Sequence, residues 1–317
     1  MYEPSQRQVD SDLEKSMAMF RRAEVGELAP LEPIQPKHVL LALDGSEQDP
    51  LGVQIAKQLR DRLNCAVTVV DGREAALATN DISSEFAKTL DAQVIDAASL
   101  GADDASYDRI LAAIKQSGAD LAIAPSPFGR DLSSVGADST GTVIDVLLAR
   151  SPVPVIVVRD EFAADKQILS RVRVILSGEN RSAPRAAQWA AGLLSTGGTF
   201  ELMLLVETEF YDNVREALHA LHPEEDIKIQ SLETALAKIH SRLHAQLQAA
   251  SDEYNFSYEL LVEHEGEDQP FAEDETANYL VVLAIEAADH ASQSHAHDLI
   301  RRSPHPVLIV PRDGRES

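Results

Sequence analysis

The chain has 317 residues and a formal net charge of −24, from 28 basic and 52 acidic side chains, with a single cysteine. At roughly 150 residues per domain this is about two domains. The acidity argues against a nucleic-acid surface, which needs clustered Lys and Arg, and against docking on an anionic membrane. Cys65 alone excludes a disulfide framework and thiolate zinc clusters, and its place beside the apolar run Val67–Val70 reads as packing. The most apolar runs, Val153–Val158 and Tyr279–Ile285, are far shorter than the roughly 20 residues of a membrane-spanning helix. The first residues lack the apolar region of a signal peptide, so a cytoplasmic protein is expected.

Taken in chain order, residues 1–36 stand apart. Asp12 to Arg22 can form a short helix with Leu13, Met17 and Phe20 on one side, and Pro30, Pro33 and Pro36 then break regular structure. This stretch reads either as an N-terminal arm with a stiff linker or as a disordered tail. At His38 the grammar changes. Val39–Leu43 is a continuous apolar run, as expected of a strand buried on both faces of a parallel sheet, and it stops at Asp44-Gly45-Ser46. Leu51–Leu63 is predicted helical, Cys65–Val70 a strand, Tyr107–Ser117 a helix and Leu121–Ala124 a strand. Thr142–Ala149 is predicted as a helix and Val155–Val158 as the last strand. Alternating strands and helices imply a doubly wound α/β architecture.

The pattern then repeats. Val172–Leu176 leads into Ser177-Gly178-Glu179 as Val39–Leu43 leads into Asp44-Gly45-Ser46. Leu202–Val206 and Leu280–Ala284 take the places of Cys65–Val70 and Leu121–Ala124. Ser151-Pro152-Val153-Pro154 before Val155–Val158 recurs as Ser303-Pro304-His305-Pro306 before Val307–Val310. Proline cannot donate to a sheet ladder, so each pair belongs at the start of a strand. The division is therefore an arm over 1–36, one α/β domain over 37–160 and a second over 161–317, with the second lengthened through Phe210–Asp226.

Ligands of doubly wound sheets bind beyond the carboxyl ends of the strands. There, Asp44 can accept from an amine or hydroxyl. Val69 and Val70 can offer backbone groups and an apolar wall. Gly141-Thr142 opens a helix whose free N–H groups suit a phosphate. The run Val39–Ser46, the pair Gly141-Thr142 before a helix and the Ser-Pro-x-Pro-Val ending resemble the universal stress protein family, over 38–160 and more weakly over 171–313. The resemblance implies two tandem domains, each a mostly parallel five-stranded sheet with helices on both faces, of the adenine nucleotide alpha hydrolase-like kind. It also implies a stress-response binding protein rather than an enzyme, built as an intramolecular pseudo-dimer with the ending strands Val155–Val158 and Val307–Val310 near each other, which can pair further as a homodimer. Some members bind ATP through an Asp after the first strand, a Val on the second, and a loop spaced Gly-x2-Gly-x9-Gly-Ser/Thr.

Asp44, Val69, Gly141 and Thr142 match that pattern, and ATP or AMP is the implied ligand of domain 1, with no cofactor required. The middle of the loop departs from it. Counted back from Gly141, the first two glycine positions fall on Phe128 and Asp131; aligned by the strand, the first falls on Pro125. Gly129 and Gly136 are the candidates to substitute, and Arg130 can meet a phosphate. Against this stands a plainer use of Asp44-Gly45-Ser46, which can turn the chain and cap a helix without any ligand. The second domain is degenerate: Ser177 replaces the carboxylate, Gln293-Ser294 replaces Gly-Thr, and no glycine lies between Gly266 and Gly314.

No catalytic set and no metal site is predicted. His240 and His244, spaced i, i+4, and the group His290, His295 and His297 carry metal-ligand residue types, but a solvated or partner-facing helix side is the plainer reading. From Leu243 to Ile300 there is no Lys or Arg, while acids crowd Asp252–Glu275. That run reads as a solvated face or mobile loop, or as a docking surface for a basic protein partner or a divalent cation. A nucleotide-free interaction scaffold is thus the alternative function.

Overall fold

The computed structural model describes residues 30–73, 81–100, 105–130, 140–159, 167–177, 181–206, 216, 234, 237–264, 279–285 and 290–311. The first half runs β1 (His38–Leu43), α1 (Asp49–Leu63), β2 (Ala66–Asp71), α2 (Ser83–Leu90), β3 (Gln93–Ile95), α3 (Ser106–Ser117), β4 (Leu121–Pro125), α4 (Thr142–Arg150) and β5 (Val155–Val158). The second runs β6 (Arg171–Ser177), α5 (Ala183–Leu193), β7 (Thr199–Val206), α6 (Ser241–Tyr254), β8 (Ser257–His264), β9 (Leu280–Ile285), α7 (His290–Arg302) and β10 (Val307–Pro311).

All strands join one ten-stranded sheet in the order β3-β2-β1-β4-β5-β10-β9-β6-β7-β8. Within each half every pairing is parallel. The central strands are buried on both faces, which is why they read as unbroken apolar runs rather than alternating ones. Along β1, Val39, Leu41 and Leu43 enter the core under α1, α2, α5 and α6, while Leu40 and Ala42 enter the core under α3, α4 and α7.

The halves meet where the sequence repeat ends. β5 and β10 pair antiparallel, with Val155 opposite Ile309, Ile156 opposite Leu308 and Val157 opposite Val307. Ile156 and Leu308 each stand five residues after the serine of their Ser-Pro-x-Pro motif, so a pseudo-two-fold axis passes through this pair. The two ending strands are neighbours, as the tandem reading expects.

Two features differ from the sequence reading or extend it. The short β3, its preceding helix α2 and the strand β8 were not anticipated, because none has a long apolar run: β3 reads Gln-Val-Ile with its first two residues exposed. The arm also does more than space. Residues 1–29 and most of the lengthened stretch 210–226 lie outside the described residues, but residues 30–36 cross the second half before β1 begins. Leu31 is buried, the Ile34 N–H donates to the Gln188 carbonyl at 2.9 Å, and the Leu31 N–H to that of Gln246 at 3.4 Å. Gly192 in α5 makes room for this strap, since a Cβ there would overlap the backbone of Ile34. Arg62 of α1 then donates to the carbonyls of Leu193 and, at 3.2 Å, Gly192, binding the end of α5 to the first half.

The strap gives a test of its own. Gly192→Ala is expected to lower stability by about 1–3 kcal/mol through forced displacement of residues 31–34, despite alanine's better helix propensity; urea denaturation checks it.

Candidate functional site

The carboxyl ends of β1 and β4 form the centre of the first half, where the helices α1 and α4 begin. Asp44, directly after β1, is 5% exposed and its carboxylate is spoken for on both oxygens. Oδ1 accepts the Ser46 N–H at 2.9 Å, and Oδ2 accepts the Gly129 N–H at 2.6 Å from the loop after β4. Asp49, in the first turn of α1, faces it: its two oxygens accept the N–H groups of Asp44 at 3.1 Å and of Gly45 at 2.8 Å. Burial, and after it the neighbouring Asp44 charge, push the Asp49 carboxyl up to about 7.

The loop after β4 folds back over this pair. The Ser126 hydroxyl donates to the Thr140 carbonyl at 3.0 Å, so the two ends of the loop are tied together. Phe128 packs among Val70 and Ile110, so close to the end of β2 that a Cβ on Gly72 would lie 2.7 Å from its ring. Gly129 (φ +72°) and Gly141 (φ +82°) both adopt backbone that disfavours other residues, and Gly141 lies against Pro127 and Phe128. Thr142 is exposed at the first turn of α4.

Charge at this edge is mostly negative. The helices that follow the strands carry acids in their first turns (Asp49, Glu85, Asp108, Asp145) and bases in their last (Arg60, Lys88, Lys115, Arg150). Each charge complements the dipole of its own helix, and together they make the carboxyl edge acidic and the amino edge basic. Arg73 is ion-paired with Asp71 at 2.6 Å and receives an Arg109 hydrogen bond on its carbonyl at 2.6 Å. Arg130 is exposed beside Gly129.

The predicted residues are therefore placed as follows. Asp44 and Gly129 touch, and Gly141 closes the same loop. Val69 is fully buried in the core under α1, and in the sheet it lies between Leu41 of β1 and Val94 of β3. Gly136 lies outside the described residues. In the second half Ser177 ends β6 at the position of Asp44. His240 and His244 are buried, not solvated: His244 Nδ1 lies 2.7 Å from the Tyr258 hydroxyl. Among the described residues no three ligating side chains gather as a metal site. His297 instead meets the start of α4, while the side chains of His290 and His295 are outside the description. Cys65 is buried. Of the acidic stretch, residues 252–264 fall on the end of α6 and on β8, and residues 265–275 lie outside the described residues.

Sequence reasoning passed over Asp49, which lies just before the helix predicted from Leu51, and Phe128, which stood where a glycine was sought. It also passed over the Arg173–Glu201 pair, 2.7 Å apart between β6 and β7 and nearly covered. A charge inside each of two neighbouring apolar runs was the available signal for it.

Two five-stranded parallel halves fused through their last strands, with a carboxylate and a glycine loop at the carboxyl edge of the first, define a tandem α/β class. The universal stress protein family model matches residues 170–311. That match falls on the second half of the chain, which is similar to this family. This reverses the weight of the sequence reading, which found the stronger likeness in 38–160. A universal stress protein from Archaeoglobus fulgidus has a similar structure, at 18% identity and a TM-score of 0.55, over 88% of this chain and 97% of that one. A functionally unknown protein from Pseudomonas aeruginosa is similar at 13% identity and a TM-score of 0.50, over 88% and 93%. At such identities the likeness is one of fold. No curated protein matches the chain. No helix among the described residues is long and apolar enough to cross a membrane.

The raised Asp49 sets a pH dependence. Between about pH 4 and 7 the unfolded chain has released this proton and the folded chain has kept it. The stability tied to the group is therefore greatest at low pH and declines as pH rises through 7. Replacing Asp49 by Asn is expected to remove a decline on the order of 3 kcal/mol between pH 4 and 8, read as the difference between the two proteins' urea midpoints.

Proposed function

We propose that the protein is a stress-response binding protein whose first domain takes an adenine nucleotide, ATP or AMP, at the carboxyl ends of β1 and β4, with the second domain lacking this capacity. The observation that carries the reading is the 2.6 Å contact between the Asp44 carboxylate and the Gly129 N–H, which unites the strand-end acid with a loop glycine 85 residues away. Gly141, in positive-φ backbone at the far end of the same loop, supports it. Asp44 can exchange the Gly129 N–H for an amine or hydroxyl of the ligand, and the freed loop N–H groups can then turn to phosphate. No catalytic role is proposed for any of these residues.

The fit has a cost. The ligand must open a contact that already satisfies a buried carboxylate, and its phosphates must approach Asp49 and Asp145. Modest affinity follows. A second reading, a nucleotide-free scaffold for a protein partner, draws on the same observation, because both Asp44 oxygens are already used within the chain.

Calorimetric titration with ATP and with AMP separates them. The first reading expects saturable binding that weakens at least tenfold in Asp44→Ala, through loss of a charge-assisted hydrogen bond, and that is abolished in Gly141→Asp. No heat of binding at millimolar ligand overturns it and leaves the scaffold.

A further inference from the structure

The start of α4 is held from the other half of the molecule. Thr140 Oγ1 donates to Asp145 Oδ1 at 2.7 Å, and His297 Nδ1 of α7 lies 3.2 Å from that hydroxyl and 3.3 Å from the same carboxylate oxygen. Because the hydroxyl already gives its proton to Asp145, the imidazole must carry a proton on Nδ1 to bond either oxygen. The Thr140 carbonyl receives the Ser126 hydroxyl at the foot of the β4 loop, and Gly141 comes next in the chain. One side chain of the second half thus stands behind both ends of the loop that covers Asp44.

The two partners are the same position of the repeat. Asp145 stands six residues before Ser151, and His297 six before Ser303, so they face each other beside the pseudo-two-fold axis. In a pair of identical domains that position would meet itself, and two carboxylates at this distance would repel. In one fused chain the copies can differ, and here they supply an acceptor and a donor.

We infer that His297 is a positioning residue for the first domain's site: the second domain, without a phosphate loop of its own, fixes the start of α4 and so sets the affinity of the first. The effect on affinity rests on the nucleotide reading above; the hold on the loop does not. The experiment therefore has two arms on the full chain. Hydrogen exchange of the amides of residues 140–145, without ligand, is expected to speed by roughly threefold to tenfold in His297→Ala, as for loss of one hydrogen-bonding partner. It is expected to return towards the wild-type rate in His297→Asn, whose amide N–H can take the place of Nδ1–H. In the second arm, the ATP dissociation constant is expected to rise by a similar factor in His297→Ala and recover in His297→Asn. Unchanged exchange overturns the proposal, as does changed exchange with unchanged affinity in a protein that binds ATP. Faster exchange and Asn rescue in a protein that binds no nucleotide upholds the hold on the loop and overturns only the nucleotide reading.

Discussion

The antiparallel ladder between β5 and β10 is the contact on which the rest of the molecule depends. Each half, taken alone, ends in an apolar strand with one bare edge, and such an edge invites pairing with other chains. Here Val155–Val157 and Val307–Ile309 satisfy each other. Both hydrophobic cores then run unbroken through the junction, with residues of the two halves in each. The pseudo-two-fold symmetry at Ile156 and Leu308 also dictates which helices meet: α4 and α7 are brought side by side, and the first domain's loop acquires a neighbour from the second.

The same site shows one carboxylate asked to serve two ends. Asp44 holds its own turn through Ser46 and reaches across to Gly129, and in doing so it shapes the loop that a ligand would have to enter. A buried acceptor left without donors would be costly, so the Gly129 N–H is held on Asp44. Asp49 adds a second carboxyl within the same few ångströms, and the pair holds a proton to about neutral pH rather than two adjacent charges. The turn is thereby built around one proton shared between two neighbouring acids.

The halves have diverged in complementary directions. The second carries the match to the family model, although Ser177 and Gln293-Ser294 stand where the first has Asp44 and Gly141-Thr142. The likeness to the family thus lies in the strand and helix framework of the second half. The second half also accepts the strap of residues 30–36 across α5 and α6, and the Arg62 contact to the end of α5. These contacts make it a support for the first half as much as a copy of it.

Most of the framework was legible along the chain. Unbroken apolar runs mark strands covered on both faces, and the twofold Ser-Pro-x-Pro motif locates the ends of a duplicated unit. Val155–Val158 and the helix before it therefore lie where the pattern places them. The short edge elements were not legible: α2 and β3 carry too few apolar residues to stand out from loops. At the site, the residue types Asp44, Gly129 and Gly141 were readable, but not their use. Whether a carboxylate faces a ligand or its own backbone depends on groups 85 residues distant, and that Asp145 finds a histidine rather than its own image depends on a symmetry axis absent from linear order. Local patterns of hydrophobicity and turn chemistry act over a few residues and can be read there. Partnerships of buried polar groups are settled only when the folded chain brings distant donors and acceptors together.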